Sequence, residues 1–326
     1  MMNSVERVTA VIRHQPFDRL PVYGWLRSNL EKQLTAAFGS VEAFEDRYEF
    51  DMAHLFPQFP AFSADVLKEA RERKGGALSP EDLLDLPMTD PDDRAGYRIL
   101  ADQISFYGKD RGRFTYVQTP GIFEPVNNYL GLENHMMCMA LEPDRMMEIY
   151  GRQAEWNRRF AMNAIDLGVN MVHVSDDWGG QTGLLFSMDM WRRMIAPFHR
   201  ITADAVKGRG CFLSLHSDGN VMQVLGEFSR MGYDVLHPFQ ESAGMDYGAY
   251  LDRYAGSFTV HGGIDIQTTL GFGKLDALQA GIERVVGLFA RRGILLCTTH
   301  FVQDHCSVEE LVFAYDLIHR LVRKAP

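Results

Sequence analysis

Val172-His173-Val174-Ser175-Asp176-Asp177-Trp178-Gly179-Gly180 is an apolar run that stops abruptly on polar residues and glycines. The pattern returns in Leu213-Ser214-Leu215-His216-Ser217-Asp218-Gly219-Asn220, Val235-Leu236-His237-Pro238-Phe239-Gln240 and Val260-His261-Gly262-Gly263-Ile264-Asp265. The last such run ends Cys297-Thr298-Thr299-His300. Short β-type runs that alternate with longer helical patterns are the signature of βα units in a parallel sheet. Working outward from these runs, strands are expected at 20–25, 51–56, 114–119, 171–176, 211–216, 233–237, 258–262 and 294–298. Eight strands close a (β/α)8 TIM barrel. The expected fold is α/β, one such barrel domain spanning 1–326.

Helical periodicity fills the intervals. A helix over 4–13, capped by Ser4, forms an N-terminal helical extension. Helices over 187–207, 221–231, 275–291 and 307–323 follow later strands, with Ser187 and Ser307 as N-caps. Residues 67–113 lack a strong period and carry Gly75-Gly76 and Pro87-Met88-Thr89-Asp90-Pro91-Asp92-Asp93, which reads as an irregular excursion before the third strand.

Composition narrows the function. A chain of 326 residues, 46% hydrophobic, can bury a large core, and its 17 methionines read as adaptable filler of that core. No run approaches the roughly 18–20 apolar residues of a membrane span, and Met-Met-Asn-Ser-Val-Glu-Arg lacks the features of a secretory signal. The cysteines Cys138, Cys211, Cys297 and Cys306 are widely spaced, so no disulfide framework is expected and the cytoplasm is the default compartment. A formal charge of −10 disfavours nucleic acid and gives no help with a polyanionic substrate. A homo-oligomer is compatible with this composition.

In a parallel barrel all these strand ends meet at one mouth, where catalytic groups sit in this fold. Four of the chain's eleven histidines thereby converge on one rim. Each polar residue also has a plain structural role: Asp176 and Asp177 can cap loop N–H groups, and His237 can be a hydrogen-bonded strand end. His261 can pack beside Gly262-Gly263, and Cys297 can be a small buried apolar group. His216 with Asp218 is the sharper pattern, because an imidazole with an acceptor two residues on can hold a metal, and His300 can approach from the last strand.

Four segments together resemble the uroporphyrinogen decarboxylase (URO-D) superfamily. They are Glu6-Arg7-Val8 with Arg13-His14 and Phe17-Asp18-Arg19-Leu20-Pro21-Val22, the Asp176-Asp177-Trp178-Gly179 turn, His216-Ser217-Asp218-Gly219-Asn220, and Gly262-Gly263-Ile264-Asp265. The superfamily includes true decarboxylases, methylcobalamin:coenzyme M methyltransferases, and corrinoid-linked methyltransferases and demethylases. The resemblance implies a (β/α)8 barrel. The decarboxylase proper carries an Arg-x-x-Gly-Arg loop after the first strand and an aspartate after the second. Here Tyr23-Gly24-Trp25-Leu26-Arg27-Ser28-Asn29 has one arginine, and Phe56-Pro57-Gln58-Phe59-Pro60 is followed by no acid until Asp65. Burying a substrate's many carboxylates unpaired would be expensive. The zinc methyltransferase branch uses His-x-Cys after one strand and Cys after the last. His216 matches, Asp218 stands where the first cysteine would be, and counting back from Ser307-Val308-Glu309-Glu310-Leu311 places His300 at the second.

The resemblance therefore implies a methyltransferase-like enzyme moving a methyl group between a small O- or N-methyl compound and a corrinoid. No Asp-x-His-x-x-Gly corrinoid segment occurs, so a separate corrinoid protein is the expected partner. Zn2+ would be held by His216, His300 and Asp218, with Cys297 as the alternative to His300. Asp176, Asp177, His216 and Asp218 are the expected catalytic residues, and Arg27, Trp178, Gln240, His261 and Asp265 would line the substrate or cofactor pocket. Trp25 and the aromatics of 56–62 would supply apolar walls. A second expectation is a metal-free decarboxylase or lyase, with Asp176 or Asp177 as proton donor and Arg27 gripping a carboxylate. A third is a non-catalytic corrinoid- or tetrapyrrole-binding protein. The metal-assisted reading requires His216, His300 and the acidic turn at Asp176 to face one cavity.

Overall fold

The computed structural model describes residues 1–27 and 29–323. Seven strands form one sheet in sequence order: β1 Met52–Leu55, β2 Phe114–Pro120, β3 Met171–Ser175, β4 Phe212–His216, β5 Val235–His237, β6 Thr259–Ile264 and β7 Leu295–Thr298. Every neighbouring pair is parallel, as expected of strands joined by helical crossovers. The architecture is TIM-barrel-like.

The expected strand at 20–25 is not a strand. Val22 alone forms a parallel bridge, to Leu296. Leu296 N–H donates to Pro21 O, Tyr23 N–H to Leu296 O, and Asp51 N–H to Val22 O. The segment thus ties β7 to the residues before β1, but Pro21 has no N–H to extend the ladder. Gly24 follows, pressed against the Tyr315 ring. The Arg-Asp residues of the opening motif hold this segment. Arg7 pairs with Asp18 and Asp51, Arg19 pairs with Asp51, and Asp51 also accepts from Val22 N–H.

Residues 64–110 are also not irregular. They form helices at Ala64–Arg73, Pro80–Asp85 and Arg98–Gln103, a 3-10 turn at Arg94–Tyr97 and a π-helical turn at Ile104–Asp110. Ser63, Ser79 and Asp93 cap three of these pieces, each too short to show a clear apolar period. Asn3, rather than Ser4, caps the first helix, Ser4–Ile12, in a capping box with Glu6. Ser187 and Ser307 cap their helices as expected. The first of these widens into a π turn at Trp191–Ile195 ahead of Pro197, which cannot donate the N–H a regular helix needs. No helix among the described residues is long and apolar enough to cross a membrane.

Side chains alternate along a strand, so every second residue enters the barrel. Here the interior is rich in imidazole. His54 stacks on Tyr116 with ring centres 4.4 Å apart and meets His173 at 5.1 Å. His237 lies 4.8 Å from His261. Such a core differs from the branched aliphatic layers usual in this fold, and it lies directly beneath the mouth.

Candidate active site at the barrel mouth

The loops after β3 and β4 are clamped backbone to backbone. Asp176 N–H donates to His216 O, and Asn220 N–H to Gly180 O. Trp178 N–H donates to Ser217 Oγ, and Asp218 N–H to Asp177 Oδ1 at 2.8 Å. A Cβ on Gly179 would lie 2.5 Å from Asp218 O, and one on Gly219, whose φ is +77°, would lie 2.5 Å from the Gly179 carbonyl carbon. Only glycine permits this approach. The clamp sets both Asp177 Oδ1 and Asp218 Oδ1 at 3.7 Å from His216 Nε2. His300, arriving after β7, places Nε2 3.7 Å from Asp218 Oδ2 and stacks on Trp25 with ring centres 5.3 Å apart.

Hydrogen bonding fixes which His216 nitrogen faces this cluster. A carbonyl only accepts, so His237 carries its proton on Nε2, which donates to Thr298 O at 3.2 Å. His237 Nδ1 is then an acceptor, and His216 Nδ1, 2.8 Å away, must donate to it. His216 Nε2 is left with a bare lone pair aimed at two carboxylates. Acceptors facing acceptors mark a place for a cation. Asp218 Oδ1 is buried without a hydrogen-bond partner among the described residues, and one ligand atom each of His216, Asp218 and His300 lies within 4.8 Å of the others. Zinc bonds of about 2.0–2.2 Å put tetrahedral ligands roughly 3.3 Å apart. The observed 3.7 Å spacings therefore need only small shifts, and the donor set fits the ion.

Burial dominates the electrostatics. It pushes the Asp218 carboxyl up to about 7, helped by Asp177 and opposed by His300. It holds His216 and His300 below the ordinary histidine range, against the pull of Asp177 and Asp218 respectively. Neutral imidazoles of this kind are competent ligands.

The sequence reading missed Glu124. Its carboxylate accepts from Ser175 Oγ at 2.9 Å, and burial, then Asp177 and Asp176, push it up to about 8. It lines a cavity of 570 Å³ walled by Phe56, Phe59, Pro60 and Tyr129. In sequence Glu124 is only an acid in a helix's first turn, a favoured position on dipole grounds, and nothing separates the two roles.

Several expected site residues lie elsewhere. Asp176 is sealed: it accepts from the N–H groups of Phe123 and Glu124, from Trp178 Nε1 and from His199 Nε2. Burial would raise its carboxyl, but His199 and these donors hold it low. Asp176 positions Glu124 rather than facing the mouth. Trp178 is fully buried against Trp191 and His199. Gln240 is buried with its Oε1 on Gly219 N–H, holding the clamp turn. Asp265 caps its own loop through Gln267 N–H and Thr268 Oγ and lines a separate cavity of 320 Å³. His261 is buried in the barrel core, and neither of its nitrogens has a hydrogen-bond partner among the described residues.

Arg27 is ion-paired with Glu42 at 2.6 Å and reaches Glu45 at 3.8 Å. The lyase reading gives Asp176 or Asp177 as proton donor and Arg27 as the carboxylate grip; Asp176 is sealed, whereas Arg27, though ion-paired, lines a cavity of 370 Å³ with Trp25, His54 and Phe56. Cys297 is fully buried on β7, where burial pushes its thiol up to about 12, and it is in neither cluster of candidate ligands among the described residues. Asp177, His216, Asp218 and His300 are brought together.

Over 98% of this chain and 99% of the other, the structure is similar to a methyltransferase from Methanosarcina mazei, at TM-score 0.68 and 14% identity. A B12-independent methionine synthase from Shewanella sp. W3-18-1 is similar over 69% of this chain and 67% of its own, at TM-score 0.49 and 12% identity. A GH113 beta-1,4-mannanase is similar over 94% and 99%, at TM-score 0.47 and 14% identity. At such identities the likeness is one of fold. No curated protein sequence matches the chain. The uroporphyrinogen decarboxylase (URO-D) family matches residues 127–321, more than half of the chain and the part that carries β3 to β7 with His216 and His300, and the chain belongs to that family.

Proposed function

We propose that this protein is a methyltransferase-like enzyme that moves a methyl group between a small O- or N-methyl compound and a corrinoid carried by a separate protein. Zn2+ held by His216, Asp218 and His300 assists it. The observation that carries the reading is the lone pair of His216 Nε2, fixed by the His237–Thr298 relay and aimed at Asp177 and Asp218. Family membership and the fold shared with a methyltransferase support the reaction class.

Bound there, the ion would supply Lewis acidity to the heteroatom that loses the methyl group. Two imidazoles and a carboxylate make a harder site than thiolates do, which suits oxygen or nitrogen better than a soft thiol. The chain's own residues do the rest. As the C–O or C–N bond breaks, its electron pair stays on the heteroatom, which then takes a proton. Glu124, held neutral near pH 7, stores that proton at the edge of the cavity. Phe56, Phe59 and Tyr129 give the cavity that Glu124 lines apolar walls for the methyl compound. Asp177 anchors the Asp218 turn, and Trp25 fixes the His300 ring by stacking.

The test is a panel of methyl ethers and methylamines, incubated with the protein and either cob(I)alamin or a corrinoid protein, with methylation of cobalt followed by absorbance. Transfer from at least one donor, abolished by chelation and restored by Zn2+, is expected. No transfer from any donor to either acceptor contradicts the proposal.

A further inference from the structure

Beneath the mouth the structure assigns a second transition-metal position, in the barrel core, to His173, His216 and His237. One ring nitrogen of each lies within 4.8 Å of the other two. The three residues are 1%, 5% and 3% exposed. Three imidazoles converging in a sealed core are costly unless their nitrogens are satisfied.

The outer contacts are those of ligating imidazoles, whose second nitrogen is held by a hydroxyl, carbonyl or carboxylate. Ser214 Oγ holds His173 Nδ1 at 2.8 Å and leaves Nε2 for an ion. Thr298 O holds His237 Nε2 and leaves Nδ1. Asp177 and Asp218 lie 3.7 Å from His216 Nε2, and a proton there frees the Nδ1 atoms of His216 and His237, which otherwise bond each other at 2.8 Å. Their negative charge behind His216 also offsets the cost of burying a divalent ion among neutral ligands. His261, its ring centre 4.8 Å from that of His237 and both its nitrogens unpartnered, supplies a fourth candidate donor. All-imidazole coordination suits Zn2+, Co2+, Ni2+ or Cu2+ and not Mg2+ or Ca2+.

His216 belongs to both positions, and a neutral imidazole has one bare nitrogen. With its proton on Nδ1 it serves the mouth; with its proton on Nε2, donated to Asp177 or Asp218, it serves the core. One ion therefore occupies one position or the other. The core position goes beyond the catalytic reading and does not depend on it, since neither Asp218 nor His300 binds the ion there.

X-ray absorption on the Asp218→Asn/His300→Ala variant loaded with one equivalent of Zn2+, and Co2+ titration of the same variant, test this. Three or more imidazoles around zinc are expected, together with Co2+ retained by the double variant within about tenfold of wild-type affinity. Adding His173→Gln, with folding checked by circular dichroism, should weaken Co2+ on the order of a hundredfold. Fewer than three imidazoles around zinc in the double variant, or loss of Co2+ from it, overturns the core position and leaves the mouth position standing. The absorption measurement decides even if the triple variant fails to fold.

Discussion

His216 Nδ1 and His237 Nδ1 lie 2.8 Å apart, and the Thr298 carbonyl on the far side of His237 decides which of them carries the proton. The relay runs from a backbone oxygen through two imidazoles to a lone pair at the mouth. Burial lowers both rings, His237 well below the ordinary histidine range, which favours the neutral tautomers over the charged form. In the metal-free protein at pH 7, long-range 1H–15N spectra should show His216 protonated on Nδ1 and His237 on Nε2. The reverse assignment for His216 would remove its lone pair from the mouth.

Glu124 gives a pH dependence with a definite sign. Its folded carboxyl titrates near 8, well above an unfolded glutamate, because burial and two aspartates disfavour the charge. The folded state thus binds this proton more tightly than the unfolded state. Its contribution to stability falls as pH rises from about 4.5 toward 8. Glu124→Gln should stabilise the protein at pH 9 by roughly 1–3 kcal/mol relative to wild type, with little effect at pH 5. Methyl transfer by the wild type should decline above pH 8, and the variant should be slower by on the order of 10²-fold at pH 7. Thermal unfolding at the two pH values and a pH–rate profile check both parts.

Asp176 has a structural assignment that stability measurements can test. Four donors converge on it, one of them His199 Nε2 at 2.6 Å. Asp176→Asn keeps the shape, replaces an acceptor with a donor beside two N–H groups whichever oxygen is exchanged, and should cost about 3 kcal/mol in denaturant unfolding. A midpoint close to wild type would show that the carboxylate is not the hub described.

The glycine clamp predicts a separation of activity from stability. Gly219 and Gly210 both have positive φ, at +77° and +68°. A Cβ on Gly210 meets nothing within 4 Å, whereas one on Gly219 meets the backbone of Gly179 and Gly180. Gly210→Ala should cost about 1 kcal/mol and leave transfer intact. Gly219→Ala should cost more, roughly 2–3 kcal/mol, and lower transfer at least tenfold by moving Asp218 away from His216. Equal rates in the two variants would detach the clamp from function.

Much of this was legible in the sequence. Strands buried on both faces read as continuous apolar runs, which is why seven of the eight expected segments coincide with β1 to β7. The other, around Val22, is reduced to a single bridge to Leu296, because Pro21 has no N–H to extend the ladder. The polar strand ends pointed correctly to His216, Asp218, Asp177 and His300 as neighbours. What the sequence could not supply was phase beyond a strand's last residue. Asp176 and Asp177 are adjacent, yet one turns to His199 behind the sheet and the other to His216 at the mouth. Gln240 and Asp265 likewise turn to loop N–H groups that only the folded chain places beside them. His173 and His54 looked like ordinary strand residues, because the inward face of a barrel strand is defined only by its partners.

Methyl transfer to cob(I)alamin by the zinc-loaded wild type and the Asp218→Asn/His300→Ala variant, using the best donor from the panel, tests the mouth assignment most directly. A fall of at least about 10²-fold, with the unfolding midpoint nearly unchanged, is the predicted result. Equal rates in the two proteins would contradict it.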